Sequence, residues 1–159
     1  MNARLPVGAV TAMLLAACAG GSSAEKPTAT VADPMGAAVL SELPTQVLAQ
    51  GQCALVLWSR NSAPVRFAVT LDQPAVARVS MKGRVLELAR VSQNGQSIHG
   101  QFPEQHYRGE GMSLEVSFMP EDARQLTGGA VVSSAVVEFD DPAGWTSIIP
   151  AVGVIACQS

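Results

Sequence analysis

The stretch "MSLEVSFM", residues 112–119, alternates apolar and polar side chains without a break. Met112, Leu114, Val116 and Phe118 fall on one side of an extended chain, and Ser113, Glu115, Ser117 and Met119 on the other. That period of two is the signature of a strand with one buried face and one wet face, and a helix cannot reproduce it. "VRFAVTLD", residues 65–72, repeats the pattern, with Val65, Phe67, Val69 and Leu71 against Arg66, Ala68, Thr70 and Asp72. Short β-branched runs continue outward from these two at Cys53–Ser59, Ala75–Met81, Val85–Val91, Ser97–Phe102, Ala130–Asp140 and Thr146–Cys157. Turn residues separate them roughly every 10 to 15 positions, the spacing of an all-β domain. Met81-Lys-Gly-Arg84 and Val91-Ser-Gln-Asn-Gly-Gln96 read as hairpin turns, so neighbouring strands are expected to be antiparallel. A sheet this small must protect its edges, which predicts about eight short antiparallel strands in a closed barrel or a two-sheet sandwich. Pro120–Gln125, acidic first and basic later, predicts one helical turn between strands.

A chain of 159 residues, 48% of them apolar, can build one compact core. Only 14% of residues are charged, the net charge is −3, and the basic side chains are scattered, which excludes the footprint of a nucleic-acid binder or a polybasic membrane patch.

The first residues read as an export leader rather than as part of the fold. Arg4 precedes the apolar run Leu5–Ala17, interrupted by Pro6 and Gly8 and too short for a bilayer span of about 20 residues. Leu15-Ala16-Ala17-Cys18 resembles the lipobox of bacterial lipoproteins at every position. The resemblance implies a signal peptide over 1–17, cleavage before Cys18, a diacylglycerol thioether on its sulfur and acylation, typically with palmitate, of the new amino terminus. Several acyl chains meet the requirement of more than one signal for stable anchoring. Ala19 stands where that family carries an Asp for inner-membrane retention, which implies delivery to the outer membrane, facing the periplasm. Residues 18–34 are then the lipidated cysteine and a small, polar, flexible linker. Residues 35–159 are a single β-rich periplasmic domain, opening with a short helical segment over 35–43 that Asp33 caps and Pro44 ends. With Cys18 acylated, Cys53 and Cys157 are the remaining thiols, and a periplasmic address permits them to pair. Such a disulfide would make the first and last strands neighbours.

The most polar constellation runs from Ser97 to Glu110 and holds both histidines and the only tyrosine. Its Pro and Gly content predicts a loop. Phe102, His106, Tyr107 and Arg108 are its candidate partner-binding residues, with Trp145 as a further one, because amphipathic aromatics and Arg anchor interfaces. His99, His106 and Glu104 are ligand types without a metal-site spacing. Asp140-Asp141-Pro142 reads as a turn rather than an acid–base pair. No Gly-x-Ser-x-Gly elbow or phosphate-cradling Gly loop occurs, so the leading reading is a non-enzymatic protein without catalytic residues, cofactor or metal, with a periplasmic enzyme whose residues assemble only in space as a further alternative. Its expected partners are the membrane, through Cys18, and another envelope protein.

The layout of lipobox, linker, small β-domain and end-joining disulfide is similar to that of the membrane-bound inhibitors of c-type lysozyme. That resemblance implies inhibition of a cell-wall hydrolase as an alternative function. The family's inhibitory Ser-Gly-x-x-Tyr loop has no match here, its nearest counterparts being Asn94-Gly95 and Gln105-His-Tyr-Arg108.

Overall fold

A computed structural model of the chain describes residues 40–121 and 128–159. The leader, Cys18, the linker, residues 35–39 and most of the expected helical turn after Pro120 lie outside the described residues. Eight strands follow in order: β1 (Cys53–Ser59), β2 (Arg66–Leu71), β3 (Val76–Met81), β4 (Arg84–Asn94), β5 (Glu104–Gly109), β6 (Met112–Pro120), β7 (Gly129–Asp140) and β8 (Thr146–Cys157). Each pairs antiparallel with the next, and β8 returns to β1, so the sheet closes as an up-and-down barrel and not as a sandwich. Closure removes the edges that the sequence pattern demanded be protected.

The alternation in β6 holds as read, with Leu114, Val116 and Phe118 buried in the core. In β2 it does not. The register shifts between Leu57 and Trp58, so Ala68 faces Leu57 while Arg66 faces Trp58, and Phe67 is the extra residue of a bulge. The residues after the bulge therefore change sides. Ala68 joins Phe67 in the barrel core, whereas Val69 and Leu71 belong to a second cluster with Ala54, Val76 and Leu43. A bulge in β7, between Val132 and Ala135, has the same effect. Ala130 and Val132 are buried before it, Ala135, Val137 and Phe139 after it.

The second cluster exists because residues 40–50 form a strap outside the barrel. The expected helix over 35–43 is absent where it can be seen. Leu40 instead makes an isolated antiparallel bridge with Met81, and Leu43 is fully buried. Backbone bonding explains the extended form: Leu43 N–H donates to the Arg66 carbonyl at 2.6 Å, and the Arg66 guanidinium donates back to the Leu43 carbonyl at 2.7 Å. The Ser41 hydroxyl lies 2.8 Å from that of Ser80 and accepts from Gly83 N–H at 2.9 Å. Burying Leu43 contributes about 2 kcal/mol.

Two tight turns run through positive φ, each with a glycine at its second position. Lys82 and Gly83 join β3 to β4 with φ of 50° and 73°, and Glu110 and Gly111 join β5 to β6 with φ of 52° and 76°. These two-residue turns match the twist of the strands they connect. The first was expected from the sequence and the second was not.

The seam between β1 and β8 pairs Cys53 directly with Cys157, and the two sulfurs form a disulfide. Cys53 N–H donates to Asp72 Oδ1 and Cys157 N–H to the Gly128 carbonyl, so neither bonds across the seam. This is a non-hydrogen-bonded pair, the position where opposite side chains come closest, and the Cα atoms stand 4.0 Å apart. Further along, Gly153 faces inward opposite Leu57. A Cβ there would lie 2.6 Å from the Val56 carbonyl oxygen and 2.9 Å from Leu57 Cδ2. Gly153→Val should therefore destabilise the barrel by at least about 2 kcal/mol, through overpacking against backbone that cannot yield. A lowered urea midpoint at unchanged slope is the expected result; an unchanged midpoint would show that the seam is looser than described.

Candidate functional site

The expected strand at Ser97–Phe102 is not formed, and the expected loop across 104–109 is strand β5. β4 runs on to Asn94, and residues 95–103 make the crossing, with Ile98 and Gln101 exchanging backbone bonds of 2.8 and 2.9 Å. The cause lies in Gln101, Gln105 and Tyr107. Gln105 hydrogen-bonds to both of the others inside the barrel, so an apparently polar stretch is drawn into the core.

Tyr107 is fully buried, which corrects its reading as a surface anchor. Its hydroxyl donates to Gln105 Oε1 at 2.6 Å, and Arg90 Nη1 donates to the same oxygen at 3.1 Å. Thr70 donates to Gln101 Oε1 at 2.6 Å. Gln101, Gln105 and Thr70 have no solvent exposure, and Gln101 Nε2 finds no partner among the described residues. Burial pushes the Tyr107 phenol up to about 12 from 10.0, against smaller opposing pulls from Thr70 and Arg90. Phe102 sits at the edge of this plug, half-buried, with the Arg90 guanidinium 5.4 Å above its ring. Its contact is thus internal as well. Residues 97–110 stand out in the sequence as its most polar stretch, but the buried cluster does not, because Thr70 of β2 and Arg90 of β4 join it from far along the chain.

Strand alternation turns His106 and Arg108 outward. His106 Nδ1 lies 3.5 Å from Glu115 Oε2, and Arg108 is exposed. Trp145 is 63% exposed on the turn between β7 and β8. In an up-and-down barrel that turn and the 95–103 crossing occupy opposite ends, so Phe102 and Trp145 do not converge on one site. The Asp140-Asp141 turn behaves as read. Asp141 Oδ1 accepts from Ala143 and Trp145 N–H at 2.9 and 3.0 Å. Hydrogen bonds from Thr146 and then Ser113 hold the Asp140 carboxyl below its usual range.

What the sequence did not reveal is a difference between the two outer faces of the barrel. Over β1–β3 the strap covers Val69, Leu71 and Val76. Over β6–β8, Met119, Ile148 and Val136 are 71, 58 and 44% exposed. Val136 points outward because of the β7 bulge, and it pairs with Pro150 on one side and Ser117 on the other. Glu104, Met119 and Val136 line one shallow groove on this face. Glu138 lies directly opposite Glu115 across β6 and β7 and opposite Ile148 across β7 and β8. Two carboxylates facing each other repel, so the face carries a local negative potential at some cost to the sheet.

Because Tyr107 is the only tyrosine, its ionisation can be read directly by ultraviolet absorbance. A phenol whose folded value is raised binds its proton more tightly in the native state. The stabilisation is complete below pH 10 and is lost as pH rises toward 12. The native protein should titrate near pH 12 and the urea-unfolded chain near 10, and the loss amounts to about 2–3 kcal/mol. Tyr107→Phe should remove this alkaline component and cost about 1 kcal/mol at neutral pH. A native titration near pH 10 would place the phenol in solvent.

Compared with known proteins, the chain matches no family model, no curated sequence and no solved structure.

Proposed function

We propose that this is a non-enzymatic lipoprotein, anchored through Cys18 at the outer membrane, whose barrel binds another envelope protein through the outer face of β6–β8. The observation that supports the reading is that stripe of exposed Met119, Val136 and Ile148 set among Glu104, Glu115 and Glu138. The barrel interior is filled by large side chains, among them Phe67, Tyr107 and Leu114, so recognition falls to its outside. Contiguous apolar surface rimmed by charge marks a protein-binding site. The charge chooses the partner: an apolar patch flanked by Lys or Arg complements it, and acidic partners are repelled. The tether accounts for the location of the encounter. The Gln105-His-Tyr-Arg108 counterpart lends no support to lysozyme inhibition, since it lies in strand β5 with Tyr107 inside.

Photo-crosslinking in intact envelopes tests this. A crosslinker at Ile148 or Val136 should trap one protein whose contacting surface is apolar and basic, while one at Arg84, exposed at an end of the barrel, should not. Ile148→Lys should weaken capture more than tenfold, and capture should fall with added salt. Cys18→Ser should release the protein from the membrane fraction and abolish capture in envelopes without altering the barrel. Equal crosslinking at Arg84, or capture indifferent to Ile148→Lys, would overturn the assignment of the face. An unchanged membrane fraction for Cys18→Ser would overturn the anchor.

A further inference from the structure

The crossing loop that plugs the barrel also places an imidazole against the seam. The ligand atoms of Cys53, Cys157 and His99 all lie within 4.8 Å of one another, with both cysteines half-buried and the histidine exposed. His99 takes the left-handed conformation there, at φ of 50°, which is uncommon for a residue other than glycine. Its neighbours fix it on both sides. Ile98 and Gln101 exchange backbone bonds across it, and the Gln101 side chain is locked to Thr70 in the interior. Gly100 packs on Asp72 so closely that a Cβ would stand 2.7 Å from the Asp72 Cβ, and Asp72 itself accepts the Cys53 N–H at 3.1 Å. A single chain of contacts thus ties the imidazole to the backbone of one of the two sulfur-bearing residues.

We propose that reduction of this disulfide exposes a binding site for a thiophilic d10 cation such as Zn²⁺, formed by Cys53 Sγ, Cys157 Sγ and a His99 ring nitrogen. The reductant is a dithiol. Its two thiols transfer two electrons and two protons to the S–S bond, giving Cys53–SH and Cys157–SH and leaving the dithiol as its own disulfide. On metal binding the two cysteine protons are released to solvent and two thiolates and a neutral imidazole coordinate, with a fourth position open. Typical Zn–S and Zn–N lengths of about 2.3 and 2.0 Å put tetrahedral ligand atoms about 3.5–3.8 Å apart, which side-chain rotation reaches from the observed cluster. Two sulfurs and one nitrogen select a soft or borderline ion over Mg²⁺ or Ca²⁺. The seam then has two alternative closures, one covalent and one metal-bridged, and in each the ends of β1 and β8 stay joined.

The test uses the full chain with Cys18→Ser, so that the seam holds the only thiols. After reduction under exclusion of oxygen, Co²⁺ is titrated in as a spectroscopic probe and then displaced by Zn²⁺. The expected result is one ion per chain, thiolate-to-cobalt charge-transfer absorption, tetrahedral visible bands and a retained β circular-dichroism spectrum. The oxidised protein should give none of the cobalt spectrum. His99→Ala should bind more than about tenfold more weakly, since even removing a partner of a ligand costs that much. Absence of the cobalt spectrum, equal affinity in His99→Ala, or loss of the β spectrum with the ion present would each overturn the proposal.

Discussion

The pairing of β1 with β8 is the constraint on which the other features of the molecule depend. Seven residue pairs, from Cys53 with Cys157 to Ser59 with Ala151, turn an eight-stranded meander into a ring. Without them both strands would present unpaired edges, and Leu55, Leu57 and Ile155 would lose neighbours in the core. Two local devices allow it. Gly153 lets the backbones approach where a side chain would collide with Val56, and the disulfide joins residues 104 positions apart. Closing a loop of that size stabilises the fold by about 4–5 kcal/mol in the chain-entropy account, a large share of the 5–15 kcal/mol typical of a domain.

Ring closure also decides where polar groups can go. A closed barrel has two ends, and the one that carries the chain termini of the ring is also crossed by residues 95–103. That crossing sends Gln101 inward to meet Thr70 and Gln105, which in turn holds Tyr107, while His99 stays exposed beside the sulfurs. The same few residues therefore plug the barrel and furnish the seam with an imidazole. Outside, the ring has a covered side and a bare one. The strap from Leu40 to Leu48 hides the apolar surface of β1–β3, which is why β2 is buried on both faces. Nothing among the described residues covers the corresponding surface of β6–β8.

Much of this was legible in the residues themselves. The strict alternation of 112–119, the Lys82-Gly83 turn and the positions of Cys53 and Cys157 were enough for an antiparallel, end-joined β-domain, and the bounds of β1 and β8 were read to the residue. The failures share a cause. Alternation reports a face only while the register is regular, and bulges at Phe67 and within Val132–Ala135 invert it. Polarity reports exposure only when a side chain has no buried partner, and Gln101, Gln105 and Tyr107 have one another. The helix expected over 35–43 overlaps the strap only at its start, where Leu40 and Leu43 suit either form and Ser80, Met81 and Arg66, remote in sequence, decide for the extended one. For the same reason the bare face could not be foreseen: an exposed valine such as Val136 becomes informative only once its neighbours on adjacent strands are known.

Residue-resolved amide hydrogen exchange tests ring closure most directly. In the observed register, Ala54 and Val56 of β1 and Val154 and Ala156 of β8 direct their N–H groups across the seam. Closure predicts that these amides exchange as slowly as those of Leu114 and Val116 in the middle of the sheet. Fast exchange at these four positions, with β6 and β7 still protected, would mean that β1 and β8 are free edges and that the barrel is open.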